Sequence, residues 1–349
     1  MKKTTVDKNE LIIKFIKENP DKSSKDIHEG LTTELGYATV KRILQDLIAE
    51  NLIIVSGKGK ASKYSISPAY ELLIPIDLDV YFAKEIDERI IRDRFNSGIF
   101  SEVLNNVSLF TDEELDHLSR LQQAYTDNVK ALSKGQYKQE LDRLAIDLSW
   151  KSAQIEGNTY SLLETERLLK DKETAAGKTK DEATMLLNHK EAIDFIIGSP
   201  SYVIPLKVSV IEDIHSMLIS DLGVDRNIRT RRVGISGTNY KPLDNEFQIK
   251  EALESTCTLI NKQENVFVKA LLALVLLSYI QAFNDGNKRT ARIISNAILI
   301  SHNYCPVSFR TIDSVEYKKA MLVFYEQNNI SAFKKIFIGQ FEFAVTTYF

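Results

Sequence analysis

The segment from Ala270 to Ile280 is almost continuously apolar, and it constrains the fold more than any other part of the chain. It is much shorter than the roughly 20 residues with which a helix crosses a bilayer, so it predicts a helix buried on all sides in a globular core. The chain has 349 residues, of which 44% are hydrophobic and 27% are charged. This length and composition are typical of a soluble protein with more than one domain.

Charge and cysteine content exclude other classes of protein. A formal net charge of -3 gives the chain no overall attraction to nucleic acid or to membranes. Cys257 and Cys305 are too few for a disulfide framework, so we expect buried thiols in a reducing compartment. The first residues lead into an amphipathic helix rather than the apolar region of a signal peptide. These features predict a cytoplasmic protein without a membrane partner.

Residues 1–70 have the pattern of a small three-helix unit that ends in a β-hairpin. Apolar residues at helical spacing predict one helix ending before Pro20, a second ending near Leu31 and a third around residues 40–48. Two short strands, Leu52–Val55 and Tyr64–Ile66, flank a turn rich in glycine and lysine. Three helices followed by a basic hairpin resemble a winged helix-turn-helix module.

This resemblance implies contact with DNA as one function. The side chains that a recognition helix and a basic wing would present are Lys41, Arg42, Gln45, Lys58, Lys60 and Lys63. Acidic residues on the same helices weaken the positive field, and modules of this shape also serve for protein interaction or dimerisation. The sequence leaves these alternatives open, together with the formation of a homo-oligomer.

Residues 71–110 are predicted to be a connector, and residues 111–349 a mainly helical domain. Capping boxes at Thr111 and Ser161 predict two helix starts, and Leu141–Ile155 continues the helical periodicity. Further helices are predicted at Asp181–Ile197, Lys207–Ile219, Glu246–Lys262, Asn265–Phe283, Arg289–His302, Ser314–Glu326 and Ser331–Tyr348. Arg229–Pro242 differs, because its pattern predicts a short β-hairpin. The predicted fold class is therefore mainly α with one hairpin, preceded by the small winged-helix-like module.

The residues that predict a binding site lie in the segment 281–292. A polar turn containing Gly286 leads from an apolar helix into a second helix that is predicted to begin at Arg289. Such a turn points backbone N–H groups in one direction and makes an anion cradle. Arg289 and Arg292 are three residues apart and share a helix face, which suits a polyphosphate. Asp285 could hold Mg²⁺, which usually bridges substrate phosphates through one or two carboxylates. Taken alone, each of these residues could be an ordinary turn residue or a solvent-exposed charge on a helix. Their occurrence together in this order favours a Mg-nucleotide site.

The same segment resembles the signature loop of Fic-domain proteins, His-Pro-Phe-x-Asp/Glu-Gly-Asn-Gly/Lys-Arg-x-x-Arg. The matching residues are Phe283, Asp285, Gly286, Asn287, Lys288, Arg289 and Arg292. The segment departs at Gln281, where the family has its catalytic histidine, and at Ala282, where it has proline. Ser152 to Gly157 resembles the family's inhibitory motif Ser/Thr-x-x-x-Glu-Gly/Asn, within a helix at about 141–157. Residues 229–242 resemble the family's target-binding flap, with Val233, Gly234, Ile235, Ser236, Gly237 and Tyr240.

The resemblance implies a role for each matching residue. Asp285 would bind Mg²⁺, while Gly286, Asn287 and Lys288 would supply the anion cradle. Arg289 would contact the phosphates of ATP and Arg292 the γ-phosphate. Glu156, with Ser152 and Gly157 in its motif, would pair with Arg292 in the empty site and so inhibit productive binding of ATP.

In the family, the histidine removes a proton from a Ser, Thr or Tyr hydroxyl of a target protein, which then attacks the α-phosphate of ATP and accepts AMP. Gln281 has no useful basicity near neutral pH, and loss of a general base typically costs on the order of 10²–10⁴ in rate. The leading hypothesis is a self-inhibited Fic protein that binds Mg-ATP and an unidentified target but transfers AMP inefficiently. The alternative is a DNA-binding transcriptional regulator whose Fic domain senses a nucleotide or holds a partner. A third reading is phosphate transfer or hydrolysis that needs no base at position 281.

Overall fold

The computed structural model describes residues 8–31 and 35–349, with the side chain of Lys60 outside the described part. The mainly α fold is confirmed. The elements of the N-terminal unit are α1 Lys8–Glu18, α2 Ser24–Gly30, α3 Tyr37–Ala49, β1 Ile53–Ser56 and β2 Lys63–Ile66. The helices that follow are α4 Tyr70–Leu73, α5 Leu78–Phe82, α6 Asp112–Ala131, α7 Lys134–Ile155, α8 Leu162–Asp171, α9 Lys180–Gly198, α10 Val208–Leu218, α11 Glu246–Lys262, α12 Val266–Ile280, α13 Asn287–Ser301, α14 Ser314–Gln327 and α15 Ser331–Tyr348.

The first three helices and the hairpin lie where the sequence predicts them. Ser23 caps α2, because its hydroxyl accepts the N–H of Asp26 and the Asp26 carboxylate accepts the N–H of Ser23. β1 and β2 pair antiparallel. Lys22, between α1 and α2, forms an antiparallel bridge to Tyr64 on the edge of β2 that does not face β1. This N-terminal unit therefore combines three helices with a small sheet.

α12 lies at the centre of the helical domain. Its residues from Ala270 to Ile280 are at most 4% exposed, which confirms the prediction of a helix buried on all sides. α13 packs along it, and α11, α14 and α15 contact other parts of its surface. Each fully buried Leu or Val contributes roughly 1.5–3 kcal/mol, so this packing holds α12 firmly in the core. Cys257 and Cys305 are free and buried, as expected. Within the described ranges, no helix is both long and apolar enough to span a membrane.

The segment predicted to be a connector, residues 71–110, is attached to the helical core at several points. Arg89 forms a buried ion pair with Glu326 of α14 at 3.1 Å. The N–H of Asn96 donates to the hydroxyl of Tyr279 in α12 at 2.9 Å. These contacts order the segment against the core, while the domain boundaries at residues 70 and 110 remain predictions.

The prediction of a β-hairpin at residues 229–242 is wrong, because neither arm of this segment forms a strand. A side chain takes the place of the cross-strand ladder. The guanidinium of Arg229 donates to the carbonyl of Arg231 at 2.8 Å and also to the carbonyl of Leu243. A guanidinium has five donors in a fixed fork, so one buried arginine joins both arms of the flap without strand pairing.

Candidate functional site

Two residues in the left-handed backbone region shape the loop between α12 and α13. Gln281, with φ of 53°, ends α12 earlier than predicted. Gly286, with φ of 81°, is the N-cap of α13, which begins at Asn287 rather than Arg289. A Cβ on Gly286 would lie 3.2 Å from Ile219, so glycine satisfies both the close approach and the positive φ.

The start of α13 presents free backbone donors. The N–H of Thr290 donates to the carbonyl of Gly286 at 2.9 Å. The N–H groups of residues 287–289 have no acceptor within the described part of the chain. These are the groups that a helix leaves unpaired, and the helix dipole adds partial positive charge beside them. This geometry suits an anion.

The side chains of Asn287 and Gln281 hold the loop together. Asn287 Oδ1 accepts the N–H of Phe283 at 2.8 Å, and its Nδ2 donates to the Phe283 carbonyl at 2.7 Å. Gln281 Nε2 donates to the Ser278 carbonyl at 2.7 Å and to the Tyr325 hydroxyl at 3.1 Å. Gln281 Oε1 accepts from Asn287 Nδ2 at 3.3 Å. Both side chains therefore bind groups of the protein, and any contribution of Asn287 to an anion cradle comes from its backbone.

Glu156 lies across the start of α13. It is the C-cap of α7, and Gly157 follows with φ of 102°. Its Oε1 accepts from Arg292 Nη2 at 2.8 Å, and its Oε2 accepts from Lys288 Nζ at 3.0 Å. The sequence motif anticipated the contact with Arg292 but not the one with Lys288. One carboxylate thus occupies two cations that would otherwise face an anion at this helix start.

Arg292 is fully buried and is held from several sides. Its Nε donates to Ser152 Oγ at 2.8 Å, and its Nη2 donates to the Ser152 carbonyl at 3.0 Å. The Tyr317 ring lies 5.3 Å from the guanidinium carbon. Ser152 Oγ lies 2.7 Å from His189 Nε2, and burial lowers the pKa of His189 well below its ordinary value. Ser152 therefore links a neutral histidine to the guanidinium and helps to orient it.

Opposing effects set the pKa of Glu156. Burial alone would raise the pKa of the carboxyl group, but the charges and hydrogen bonds of Arg292 and Lys288 lower it to about 2. Because this pKa lies below the ordinary value, the ionised contact is fully present above the ordinary carboxyl range and is lost only as the pH falls toward 2. The carboxylate is therefore charged at every pH near neutrality.

Asp285 and Arg289 pair at the same loop. Arg289 Nη2 lies 2.9 Å from Asp285 Oδ2, and the two side chains are 1% and 60% exposed. Arg289 Nη1 donates to the Leu218 carbonyl at 3.3 Å. Arg289 is thus a buried support for the loop, whereas Asp285 reaches solvent.

A cavity of about 370 Å³ opens above this loop. On the side of α7 and the loop, the cavity is lined by Glu156, Gln281, Asp285 and Lys288. Residues 234–236 of the flap line another part. Arg289 and Arg292 do not line it, because both are buried beneath its surface.

Lys318 of α14 also lines the cavity, and sequence reasoning missed it. Its side chain is exposed and forms no ion pair with the described residues. Its neighbour Lys319 instead pairs with Asp79 at 2.8 Å. The sequence shows only two adjacent lysines on a helix, so the difference between them required the structure.

Comparisons with known proteins find similarity in the part of the chain that contains the loop. Residues 205–299, which include the loop and nearly all of α13, match the model of the Fic/DOC family. This part of the chain is therefore similar to the Fic/DOC family. Glu156 and Lys318 lie outside the matched residues.

Relatives and solved structures extend the likeness. The protein adenylyltransferase Fic of Nematostella vectensis is 29% identical over 175 residues, which are 48% of this chain and 40% of that protein. The protein adenylyltransferase fic-1 of Caenorhabditis elegans is 25% identical over 175 residues, or 48% of this chain and 34% of that protein. This chain thus spans two fifths or less of their length.

Two solved structures share the fold. Fic-1 from C. elegans has a TM-score of 0.58 at 21% identity, over 68% of this chain and 72% of that one. A Fic domain containing signaling protein from Bacteroides thetaiotaomicron has a TM-score of 0.57 at 18% identity, over 66% of this chain and 95% of that one. At these identities the structures establish the fold alone.

None of the histidines of the chain lines the cavity beside Gln281. His215 stacks on Phe283 with the ring centroids 3.6 Å apart, and its Nε2 lies 2.9 Å from the Asp285 carbonyl. Burial lowers its pKa. His189 binds Ser152 as described above. The other histidines lie away from the cavity: His28 in α2, His117 beside Glu342 and His302 at the end of α13.

The predicted flap residues divide into two groups. Residues 234–236 line the cavity, and Val233 and Gly237 flank them in sequence. Tyr240 is 2% exposed and stacks on Tyr279 and Tyr325, with centroid distances of 5.3 and 5.6 Å. Tyr240 therefore anchors the flap in the core.

The N-terminal candidates are on the surface. The exposed side chains are Lys41, Arg42, Gln45, Lys58 and Lys63, and that of Lys60 lies outside the described part. Arg42 lies 4.0 Å from Asp46, and Lys63 lies 3.9 Å from Asp26. Such exposed ion pairs are weak, so these cations remain accessible.

Proposed function

We propose that this Fic domain binds Mg-ATP at the start of α13 and that Glu156 holds it in a self-inhibited state. The observation that carries the proposal is the bridge from one carboxylate to both Arg292 and Lys288, beside the free N–H groups of residues 287–289. A guanidinium cannot give its best hydrogen bonds to a carboxylate and a phosphate together. Displacement of Glu156 would direct both cations toward the phosphates.

Asp285 is the group that would hold the metal ion. Among the described residues no cluster of three acidic, histidine or cysteine side chains could form a metal site by itself. Mg²⁺ bound with a nucleotide needs only one or two carboxylates, since phosphates and water complete its coordination. The Arg289 contact leaves Asp285 Oδ1 free to face the cavity. The metal ion would neutralise phosphate charge as it develops.

The reaction that this site would support is transfer of AMP to a hydroxyl group of a target protein. The names of the relatives, protein adenylyltransferases, support this class. The hydroxyl oxygen would bond to the α-phosphorus as the bond to the leaving pyrophosphate breaks, and the hydroxyl proton must pass to a base. Gln281 cannot take that proton, and its Nε2 and Oε1 are already bound within the loop. Transfer by this chain is therefore slow, although nucleotide binding is retained.

The placement of the phosphates predicts a difference between two adjacent lysines. In a Glu156→Gly background, Lys318→Ala should weaken Mg-ATP binding about 3–10-fold, because it removes a cation at the cavity rim worth roughly 1 kcal/mol. Lys319→Ala is the matched control and should leave the affinity unchanged. Titration calorimetry measures both. An equal loss in the two variants, or none in either, would contradict this placement.

The low pKa of Glu156 predicts that inhibition does not depend on pH near neutrality. The ratio of Mg-ATP affinities for Glu156→Gln and the unmodified chain should stay constant from about pH 5 to about pH 9, because the carboxylate remains ionised throughout. Calorimetry at several pH values measures this ratio. A ratio that approaches one as the pH falls to 5 would mean that Glu156 titrates in this range and that its contacts with the cations are weak.

DNA binding is a second candidate function, which we propose for the N-terminal unit. The order of elements in this unit supports a winged-helix module: α1, the bridge at Lys22, α2, α3 and then the β1–β2 hairpin. Lys41 and Arg42 are exposed on α3, at the position of a recognition helix.

This candidate predicts salt-dependent binding of random-sequence duplex DNA. Lys41→Ala should reduce the slope of log affinity against log salt by about 0.9, the value for loss of one phosphate contact. Fluorescence anisotropy measures the slope. Lys250→Ala is the control, since Lys250 pairs with Glu246 on the exposed surface of α11. Absence of binding even at low salt would leave protein interaction as the role of this unit.

A further inference from the structure

Buried guanidinium groups hold the flap at both ends, and one of them comes from outside residues 205–299. At the base, Arg229 is 1% exposed, and its Nε donates to the Gln281 carbonyl at 2.6 Å. At the far end, Arg89 Nη2 donates to the Gly237 carbonyl at 2.8 Å. Arg89 belongs to the segment between the N-terminal unit and α6, so a distant part of the chain fixes one end of the flap.

Arg89 is itself held firmly. Its Nη1 lies 3.1 and 3.3 Å from the two carboxylate oxygens of Glu326, and the two side chains are 3% and 0% exposed. The Tyr81 hydroxyl donates to Glu326 Oε2 at 2.6 Å. The Phe82 ring lies 5.0 Å from the guanidinium carbon. A buried pair with these added contacts has little freedom to reorient. The Nη2 group of Arg89 is therefore fixed in its direction toward the Gly237 carbonyl.

Two more contacts join the same segments. The N–H of Lys241 donates to the Asp93 carbonyl at 3.1 Å. Asn239 Nδ2 donates to Asp87 Oδ1 at 3.0 Å. Together with the Arg89 contact, they form what we call the connector clamp, in which residues 87–93 bind residues 237–241.

Between the two anchors, the flap backbone is unpaired. Residues 233–236 form no backbone hydrogen bond with the rest of the described chain. Gly234, Ile235 and Ser236 line the cavity. A backbone segment with free donors and acceptors, held at both ends beside a reaction site, can pair with an added peptide segment.

We propose that Arg89 is a positioning residue for the acceptor polypeptide. By fixing the Gly237 end of the flap, it would set the register in which residues 233–236 pair with the segment that carries the acceptor hydroxyl. This inference rests on the proposed function, because it takes a protein hydroxyl as the acceptor. Arg89 contacts neither the nucleotide cavity nor the acceptor, so its effect is transmitted through Gly237.

Arg89→Lys separates the flap contact from the buried ion pair. Lysine keeps a positive charge for Glu326, but its ammonium is a point charge without the fork that reaches Glu326 and Gly237 together. We expect hydrogen exchange of the Lys241 amide to accelerate at least about tenfold, because the clamp opens locally. Mg-ATP affinity in the Glu156→Gly background should change less than about twofold. Arg92→Lys is the matched control, since Arg92 pairs with exposed Glu71 at 2.9 Å.

A kinetic measurement distinguishes positioning from general stability. The background is the Glu156→Gly, Gln281→His chain, and the acceptor is a size-tagged copy of the unmodified chain. Arg89→Lys should raise the acceptor KM about fivefold or more, with kcat changed less than about twofold. The proposal would be overturned if Arg89→Lys left the acceptor KM unchanged or left hydrogen exchange of the Lys241 amide at its wild-type rate. It would also be overturned if Arg92→Lys changed these two quantities as much as Arg89→Lys does. Failure of the proposed function would be seen separately, as absence of Mg-ATP binding or transfer in the background with Arg89 intact.

Discussion

The double variant Gln281→His, Glu156→Gly is expected to transfer AMP to protein about 10²–10⁴-fold faster than Glu156→Gly alone, the usual contribution of a positioned general base. Glycine at position 156 would free Arg292 and Lys288 for the phosphates. Histidine at position 281 would supply the missing proton acceptor near neutral pH. The remaining groups of the loop are already in place.

The loop geometry can accept this histidine. Gln281 has φ of 53°, a backbone region that histidine adopts more readily than most residues do. Gln281 Nε2 donates to the Ser278 carbonyl at 2.7 Å. An imidazole whose Nδ1–H makes the same contact would leave Nε2 unprotonated toward the cavity, because the bond at one ring nitrogen sets the tautomer.

The assay is transfer of label from α-labelled ATP to the purified protein and to proteins of a cell lysate. Gln281→His alone should give less transfer, because Glu156 would still hold Arg292 and Lys288. Asn284→His in the Glu156→Gly background is the matched control, since it places an imidazole on the same loop at the wrong position. Strong transfer by the unmodified chain that the histidine fails to increase would show that Gln281 is no defect.

A folded double variant that binds ATP but transfers nothing would point to a further loss. Ala282 stands where the family has proline, and its carbonyl accepts the N–H of Arg229 at the base of the flap. A shift there would move the flap and the loop together. In that case a nucleotide-sensing regulator becomes the better account of the chain.

Local patterns predicted the helical parts of this protein well. The capping boxes at Thr111 and Ser161 are present, and α12 is buried from Ala270 to Ile280. These predictions depend on residues three or four positions apart, whose relation a helix fixes. The flap prediction was wrong because alternation around Val233 and Ile235 implies self-pairing, whereas the hydrogen bonds come from Arg229 and Arg89.

The missed parts of the candidate site are long-range contacts. Lys288 lies 3.0 Å from Glu156, and Ser152 lies 2.7 Å from His189. Periodicity places residues on a face of one helix but does not say which other helix that face meets. The motif supplied the pairing of Glu156 with Arg292 only through family resemblance.

Glu156→Gly should raise Mg-ATP affinity about 10–100-fold relative to the unmodified chain. The carboxylate makes charge-assisted hydrogen bonds to Arg292 and Lys288 at 2.8 and 3.0 Å, and ATP must replace them. Competing contacts of this kind are worth about 1.5–3 kcal/mol, or roughly a factor of ten for each 1.4 kcal/mol. Calorimetry measures the gain, and Glu140→Gln, on the same helix but paired with Arg143, is the control.

A second substitution locates the gain at Arg292. In the Glu156→Gly background, Arg292→Lys should lose most of it, because lysine cannot make the bidentate contact of a guanidinium with phosphate. Thr290→Ala should retain it, since Thr290 lies on the same helix but its hydroxyl forms no hydrogen bond with Glu156 or any other described residue. Equal affinities of Glu156→Gly and the unmodified chain would remove the inhibitory role of Glu156. If Arg292→Lys and Thr290→Ala changed the Mg-ATP affinity equally, the phosphates would lie elsewhere. Arg292 binds the Glu156 carboxylate that ATP is proposed to displace, whereas Thr290 does not.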